Sequence, residues 1–495
     1  MTIIPPVIDR RRRSLLKATA GLAAAGALQP LLALAARAAD MEAAGRQGDT
    51  PFGPLHPVAD ESTGLALLEL PDGFSYTSFS WTGDAMEGGA PTPPRHDGMA
   101  VVDAAADGTL TLLRNHEGLL GPTIGAAPTV YDAVEVPSEA TPNGASGPLG
   151  GGVTRLTWRQ GRWLSAAPAL GGTLLNCAGG PTPWGSWLSG EEGVFDLAEI
   201  GGKLHGFLFE VPASGDASAV PLTAMGLFKH EAAAVDPGTG IVYLTEDNGD
   251  HSGLYRFLPE RPLGGPRALE AGGRLQMLAV KGEPQADLRT PGQGLSLAVD
   301  WVDIAEPVMR PERRRDLQWV GRSGPYMQGR EKGGARFNRL EGCWLADGRL
   351  VFADTEGGPA GLGAIWSVRA HGEAGEGRLD AIFVSSDTDQ GENPDNLTLR
   401  PGGGLLFCED GRAPNHVMAL GTGGETYPLA RNAVRLTLPQ IKAMRRDPAV
   451  LRPMEYSSSE WAGACFSPDG RTLFVNIQTP GLTLAIALPD WPELT

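Results

Sequence analysis

Positive charge is in short supply in this sequence. Its 41 Lys and Arg face 58 Asp and Glu, a formal charge of −17, whereas a protein that neutralises a phosphate backbone needs clustered basic residues. Nucleic acid is therefore not the expected partner; cations and small molecules are. Histidine is scarce too: there are eight, with no HExxH and no metal-triad spacing. The four cysteines, at 177, 343, 408 and 465, form no CxxC pair; two disulfides are open to them in an oxidising compartment, but spacing alone pairs none. Beyond the N-terminus no apolar run is long enough to span a bilayer, so the mature chain is expected to be soluble, without a stable membrane anchor. Glycine (69) and proline (41) are abundant among the 495 residues, beside plentiful aliphatic and aromatic residues, which describes many turns rather than disorder. A single core seldom grows past about 250–300 residues, so the chain holds either about three domains or one modular ring.

The N-terminus has the form of an export signal. Arg10 to Arg13 and Ser14-Leu15-Leu16-Lys17 precede an Ala/Leu-rich run from Ala18 to Ala36 and the small-residue pattern Ala36-Arg37-Ala38. Arg12-Arg13-Ser14-Leu15-Leu16-Lys17 resembles a twin-arginine signal, and Gln29 and Pro30 make the run a poor spanning helix. Cleavage after Ala38 leaves 35 basic and 57 acidic residues, a charge of −22. The route carries folded proteins, so the expected partner in export is the twin-arginine translocase and the destination the periplasm or beyond. The reading is a signal over 1–38, an N-terminal extension leading into the fold over 39–95, and one large domain over 96–495.

A repeat organises that domain. His230-Glu231-Ala232 opens an apolar strand, Asp236-Pro237-Gly238-Thr239-Gly240 turns it, and Ile241-Val242-Tyr243-Leu244 returns to Glu246-Asp247. Similar units run from Leu340-Glu341-Gly342 to Asp354 and Glu356, from Asp395-Asn396-Leu397 to Glu409-Asp410, and from Glu460-Trp461-Ala462-Gly463 to Asn476 and Gln478. Two looser ones run from His96-Asp97-Gly98 to Glu117, and from Cys177-Ala178-Gly179-Gly180 to Glu191-Glu192. An offset of fifteen residues links 177 to 192, 231 to 246, 341 to 356 and 395 to 410. Strand, glycine turn and strand make an antiparallel hairpin, and six hairpins predict an all-β fold, a six-bladed β-propeller. The two ends of a hairpin lie together, so the acids converge on one mouth of the central funnel. The alternative is that Asp and Glu merely mark strand ends.

Converging carboxylates repel one another unless cations neutralise them. Oxygen donors suit hard ions such as Ca²⁺ or Mg²⁺, and a thiolate from Cys177 calls for a softer metal such as Fe or Zn. Cys343, Cys408 and Cys465 fall inside predicted strands and are expected to be buried there.

The segment Asn176 to Glu192, with Arg114-Asn115-His116-Glu117, Lys229-His230-Glu231, Arg339-Leu340-Glu341-Gly342, Pro394-Asp395-Asn396-Leu397 and Glu409-Asp410-Gly411, resembles the PhoX alkaline phosphatases, secreted twin-arginine enzymes. The resemblance implies a metal-dependent phosphatase of phosphate monoesters and related esters. It also implies two Fe³⁺ and up to three Ca²⁺, held by acidic residues and one cysteine. Carried over by motif, the leading ligands are Cys177, Glu192, Glu231, Glu341 and Asp410, followed by Glu117, Glu246 and Asp395; Arg339 matches a phosphate-contacting arginine. Gly190 stands where many members have a second cysteine, and the chain is shorter than the larger members. The competing readings are a calcium-dependent propeller lactonase or esterase, which has no need of Cys177, and a non-catalytic periplasmic propeller. A monomer is expected. Trp184 and Trp187 are read as core, 121–152 as a long loop, Arg310 to Asp316 as a solvated turn, and Gln440 to Asp447 as a short helix after Pro439.

Overall fold

The computed structural model describes residues 50–141, 144–346, 348–369, 377–412 and 414–489; the export signal and its cleavage site lie outside them. Among the described residues no helix is long and apolar enough to cross a membrane.

The repeat folds as hairpins. Their first strands are His96–Ala104, Asn176–Pro181, His230–Val235, Leu340–Ala346, Pro394–Leu399 and Trp461–Phe466, and each pairs antiparallel with the strand that follows. Each first strand also packs against the next one around, and Trp461–Phe466 returns to His96–Ala104. The result is a β-propeller whose innermost strands form a closed ring. Strands covered on both faces lose the alternation of a half-exposed sheet, and His230–Val235 and Trp461–Phe466 are buried at every residue. Side chains of neighbouring sheets interlock between the layers, as Trp158 of the first sheet and Phe474 of the sixth do edge to face.

The outer strands depart from a uniform repeat. The second sheet has three strands, while the third and fourth are joined through Ser296–Ile304 into a nine-stranded sheet. The segment expected as an extension is woven into the propeller: His56–Ala59 and Ala66–Leu70 lengthen the fifth sheet. Ser75–Phe79 pairs with the C-terminal strand Leu482–Ala487 in the sixth. That last pairing sews the two ends of the chain together and leaves no open seam for unpaired edges.

The described residues of 121–150 form a long loop interrupted by the short paired strands Glu135–Val136 and Gly147–Pro148, and the strand Gly151–Arg159 ends it. A helix forms at Leu438–Ala443 under a capping box of Thr437 and Gln440. Trp187 is buried, Trp184 packs partly buried at the edge of a core cluster, and all four cysteines are free, with 343, 408 and 465 buried. One expectation needs correction. Arg313–Arg315 is a strand rather than a turn, paired with Gln318–Val320 through a tight connection in which Asp316 has φ 54°. A helix that the hydrophobic pattern did not announce spans Gly324–Glu331, capped by Ser323, whose side chain accepts from the Tyr326 N–H.

Every innermost strand is bulged near its start. Register breaks between His96 and Met99, Asn176 and Gly179, His230 and Ala233, Leu340 and Cys343, Pro394 and Leu397, and Ala462 and Cys465. A bulge re-aims the side chains within it; in the first five sheets its first residue is Asp97, Cys177, Glu231, Glu341 or Asp395. The ring is tight at these points. A Cβ on Gly180 would lie 1.7 Å from the Ala233 carbonyl oxygen, and one on Gly179 would lie 1.8 Å from that of Leu188. Gly180→Ala is therefore expected to destabilise the fold by about 3 kcal/mol, because backbone cannot yield as a side-chain tip can. The check is the urea midpoint at unchanged slope; an unmoved midpoint would mean the strands are not in backbone contact.

Candidate metal centre

Each hairpin presents three positions at the mouth: the residue leading into the first strand, the bulge residue two places on, and the residue leaving the second strand. One backbone hydrogen bond closes all six. The departing N–H donates to the leading carbonyl from Glu117 to Arg95, Glu192 to Leu175, Asp247 to Lys229, Thr355 to Arg339, Asp410 to Asn393 and Gln478 to Glu460, at 2.9–3.3 Å. Four of the leading residues, Arg95, Leu175, Arg339 and Asn393, have φ between 49° and 62°. This left-handed conformation is uncommon without glycine, and here it makes the corner into the strand.

This register corrects the uniform offset of fifteen. Glu246 pairs with His230 inside the sheet, and its carboxylate turns inward to accept from the Tyr255 hydroxyl at 2.6 Å. Asp247, one residue on, takes the departing position. In the fourth hairpin Thr355, not Glu356, stands there. Glu246 belongs instead to a row of buried polar residues behind the mouth. In that row Glu191 accepts from the Leu174 and Gly206 N–H groups and His205, and Glu409 accepts from the Glu392 and His416 N–H groups. These side chains fasten hairpins to the loops around them.

Three groups of potential ligands form among the described residues: Cys177 with Glu192 and Glu231; Glu231 with Glu341 and Asp395; and Asp395 with Asp410 and Glu460. Within each, the ligand atoms lie within 4.8 Å of one another. Glu231 and Asp395 are each shared by two groups, so the three form one chain across the mouth. Of the expected ligands, Cys177, Glu192, Glu231, Glu341, Asp395 and Asp410 are brought together. Glu117 lies at the rim, accepting from Gln478 at 3.0 Å with Arg95 3.6 Å away. Glu246 is not brought in. Glu460 and Asp97 are additions; Asp97 Oδ1 lies 3.6 Å from the Cys177 sulfur. Both stood within the repeat, but only the bulge register distinguishes residues that face the mouth.

Besides Arg95, two basic side chains hold the rim. Lys229 Nζ is 3.2 Å from Glu192. Arg339 donates from Nε and Nη2 to the two oxygens of Asp247, at 2.8 and 3.0 Å, and from Nη2 to Glu341 at 2.7 Å. Burial opposes ionisation of Asp247, yet Arg339 and then Lys229 more than offset it and hold its pKa at about 2. The carboxylates of the chain behave oppositely. Burial, then the charges of Glu192, Asp395 and Asp97, pushes Glu231 well up, and both its oxygens are buried without a hydrogen-bond partner. Burial also lifts Glu341, Asp97 and Glu460, and brings Glu192 and Asp395 to about 8. The Cys177 thiol is raised by burial and then by Asp97. Such a cluster ionises fully only around bound cations, and its donors, many carboxylate oxygens and one sulfur, fit hard ions beside one softer metal.

The profile of the alkaline phosphatase PhoX family matches residues 50–164 and 137–481. The chain belongs to the PhoX family. No curated protein matches it. Among solved structures it is similar to a gluconolactonase from Xanthomonas campestris, at 14% identity over 89% of this chain and 99% of that one, TM-score 0.36. It is similar also to the PQQ domain of pyranose dehydrogenase from Coprinopsis cinerea, at 11% identity over 85% and 97%, TM-score 0.30. The Dos1 propeller is similar at 8% identity over 84% and 98%, TM-score 0.32. For this PhoX-family chain the raised carboxylates set a pH dependence. Glu192 and Asp395 shift to about 8 from ordinary values of 4.5 and 3.8, so the folded, metal-stripped protein retains protons that the unfolded chain has released. Its melting temperature should fall as pH rises from about 4 to about 8, and cations that bind only the folded state should remove that slope and raise the temperature by linkage. Scans at stepped pH, with chelation verified by elemental analysis, provide the check; a flat or rising trend in the stripped protein would show that the acids are not gathered.

Proposed function

We propose that this chain is a metal-dependent phosphomonoesterase that releases inorganic phosphate, with two Fe³⁺ and up to three Ca²⁺ at the mouth of its propeller. The observation that carries the reading is the pair of unpartnered buried oxygens on Glu231, a carboxylate shared by two ligand groups. Cys177, Glu192 and Glu231 would hold the iron that takes a thiolate, and Glu341, Asp395, Asp410 and Glu460 the ions, iron and calcium, that are met by oxygen alone. When bound, the cations supply the positive field that lets an acidic mouth accept a phosphate ester and withdraw charge from its oxygens.

The chain's own residues position that ester. Asp247 grips Arg339 through two nitrogens and so fixes the plane of the guanidinium. Its Nη1 is the least engaged nitrogen, 3.9 Å from Glu356, and is the one to meet a phosphoryl oxygen. Lys229 Nζ offers a second donor on the same rim. Burial disfavours its charge, but Glu192 and Asp247 raise its pKa and keep it protonated. Both groups support charge that develops on the phosphoryl oxygens in the transition state. A calcium-only lactonase would leave Cys177 without a role in the group it forms with Glu192 and Glu231, and a non-catalytic propeller would have no use for an oriented Arg339. The resemblance of Arg12 to Lys17 to a twin-arginine signal supports export to the periplasm or beyond, and a monomer is part of the same proposal. Elemental analysis of purified protein beside a phosphomonoesterase assay with added Ca²⁺ tests the whole reading: iron with turnover supports it, calcium alone without turnover overturns it.

Cys177→Ser is expected to lose iron and most activity while remaining folded, because the thiolate is the one soft donor and the hairpins hold themselves. Iron content and circular dichroism are measured together, and full iron occupancy in the variant would remove Cys177 from the ligand set. Arg339→Lys should lower kcat/KM on a phosphate monoester by roughly ten- to a hundredfold, about 1.5–3 kcal/mol, since an ammonium cannot be held by Asp247 and also present an oriented nitrogen. Wild-type kinetics at wild-type metal content would return Arg339 to a purely structural ion pair.

A further inference from the structure

Beside the mouth of this acidic protein lies a cavity of about 390 Å³ whose wall is rich in positive charge: Arg322, Arg330 and Arg336, with His251, Tyr326 and the single acid Glu331. Two mouth loops build it together with the helix Gly324–Glu331 and Arg322 just before that helix. His251 stands four residues beyond Asp247, and Arg336 three residues before Arg339. The loops are tied by the Asp250 N–H donating to Asn338 Oδ1 at 2.8 Å and by mutual backbone hydrogen bonds between Ser252 and Phe337. Four residues of extended chain reach at most about 14 Å, so the backbone of His251 lies within about that distance of Asp247, and that of Arg336 within less of the arginine that Asp247 grips.

The wall has the make-up of an anion site. Neighbouring acids brace the guanidiniums without lining the cavity. Glu312 accepts from Arg322 Nε at 2.8 Å, and Asp287 accepts from Arg336 Nη2 at 2.6 Å and from Arg289. Arg330 is braced by three backbone carbonyls, of Ala286, Gly334 and Gln285, at 2.7–3.0 Å. An oxyanion in the cavity would meet planar, pre-oriented guanidiniums.

We propose that this cavity is an oxyanion subsite that takes a second phosphoryl group of a polyphosphorylated ester whose first phosphoryl group is held at the metal mouth. The proposal rests on the phosphomonoesterase reading. The test compares adenosine triphosphate with p-nitrophenyl phosphate, which has a single phosphoryl group, on metal-loaded protein. Arg322→Ala combined with Arg336→Gln should lower kcat/KM for the triphosphate about tenfold, through KM, and leave p-nitrophenyl phosphate within about twofold. Glu331→Gln, at an exposed position, should act in the opposite direction and lower KM for the triphosphate about threefold, which keeps the test decisive if the double variant fails to fold. Equal effects on both substrates, or none on the triphosphate, overturn the subsite. Should the wild type hydrolyse neither ester, the phosphomonoesterase reading fails by itself. Calorimetric titration of the triphosphate onto wild type and double variant then judges the subsite, and equal affinities overturn it.

Discussion

Asp97, Glu231, Glu341, Asp395 and Glu460 repel one another across a mouth that is only partly open to water, and the rest of the architecture has to tolerate that repulsion. Side chains alone cannot do it, because nothing but backbone holds them at fixed separation. The six closing hydrogen bonds between departing and leading residues, and the bulge in every inner strand, set the carboxylates where they are. The pairing of Ser75–Phe79 with the last strand keeps the ring from opening under the strain of like charge. Rim cations relieve part of it: Arg339 and Lys229 keep Asp247 ionised, but no basic residue forms an ion pair with Glu231 among the described residues. That residue is where a bound cation changes the balance most.

The same residue type does opposite work on the two sides of this mouth. Glu191, Glu246 and Glu409 accept hydrogen bonds from the protein and serve as fasteners. Glu192, Asp247 and Asp410, each one residue later, face the funnel. Because side chains alternate across a strand, a shift of one residue exchanges structural acid for functional acid. Arg339 likewise acts through a neighbour: Asp247 holds its plane, so the rim carries a pre-oriented donor rather than a loose charge.

Much of this was legible in the sequence. The strand, turn and strand pattern with its glycine-rich turns announced the hairpins, and the long motifs around Cys177, Glu231, Glu341 and Asp395 marked the residues that the fold brings together. The error at Glu246 came from counting along the chain. The offset of fifteen holds for 177 to 192 and 395 to 410, but bulges and turns of different length put the third and fourth hairpins out of step with it. Asp97 was visible as a motif residue, yet nothing along the chain says that its oxygen approaches the Cys177 sulfur. The helix Gly324–Glu331 carries a short apolar face interrupted by glycines and was not visible by periodicity.

Local chemistry is what the sequence determined by itself: turns where glycine and proline make them cheap, strands where β-branched and aromatic residues cluster, and acids and one thiol at the strand ends. Tertiary structure decided which of those acids meet. Convergence depends on the angle between hairpins, on the two-residue bulges and on backbone hydrogen bonds that close each corner, and these arise from packing between segments far apart in the chain. The cavity beside the mouth shows the same division. Arg322, Arg330 and Arg336 are scattered basic residues in the sequence, and only the packing of the helix Gly324–Glu331 against the 247–253 and 333–339 loops turns them into one wall, because a charge acts on a ligand through distance in space and not through separation along the chain.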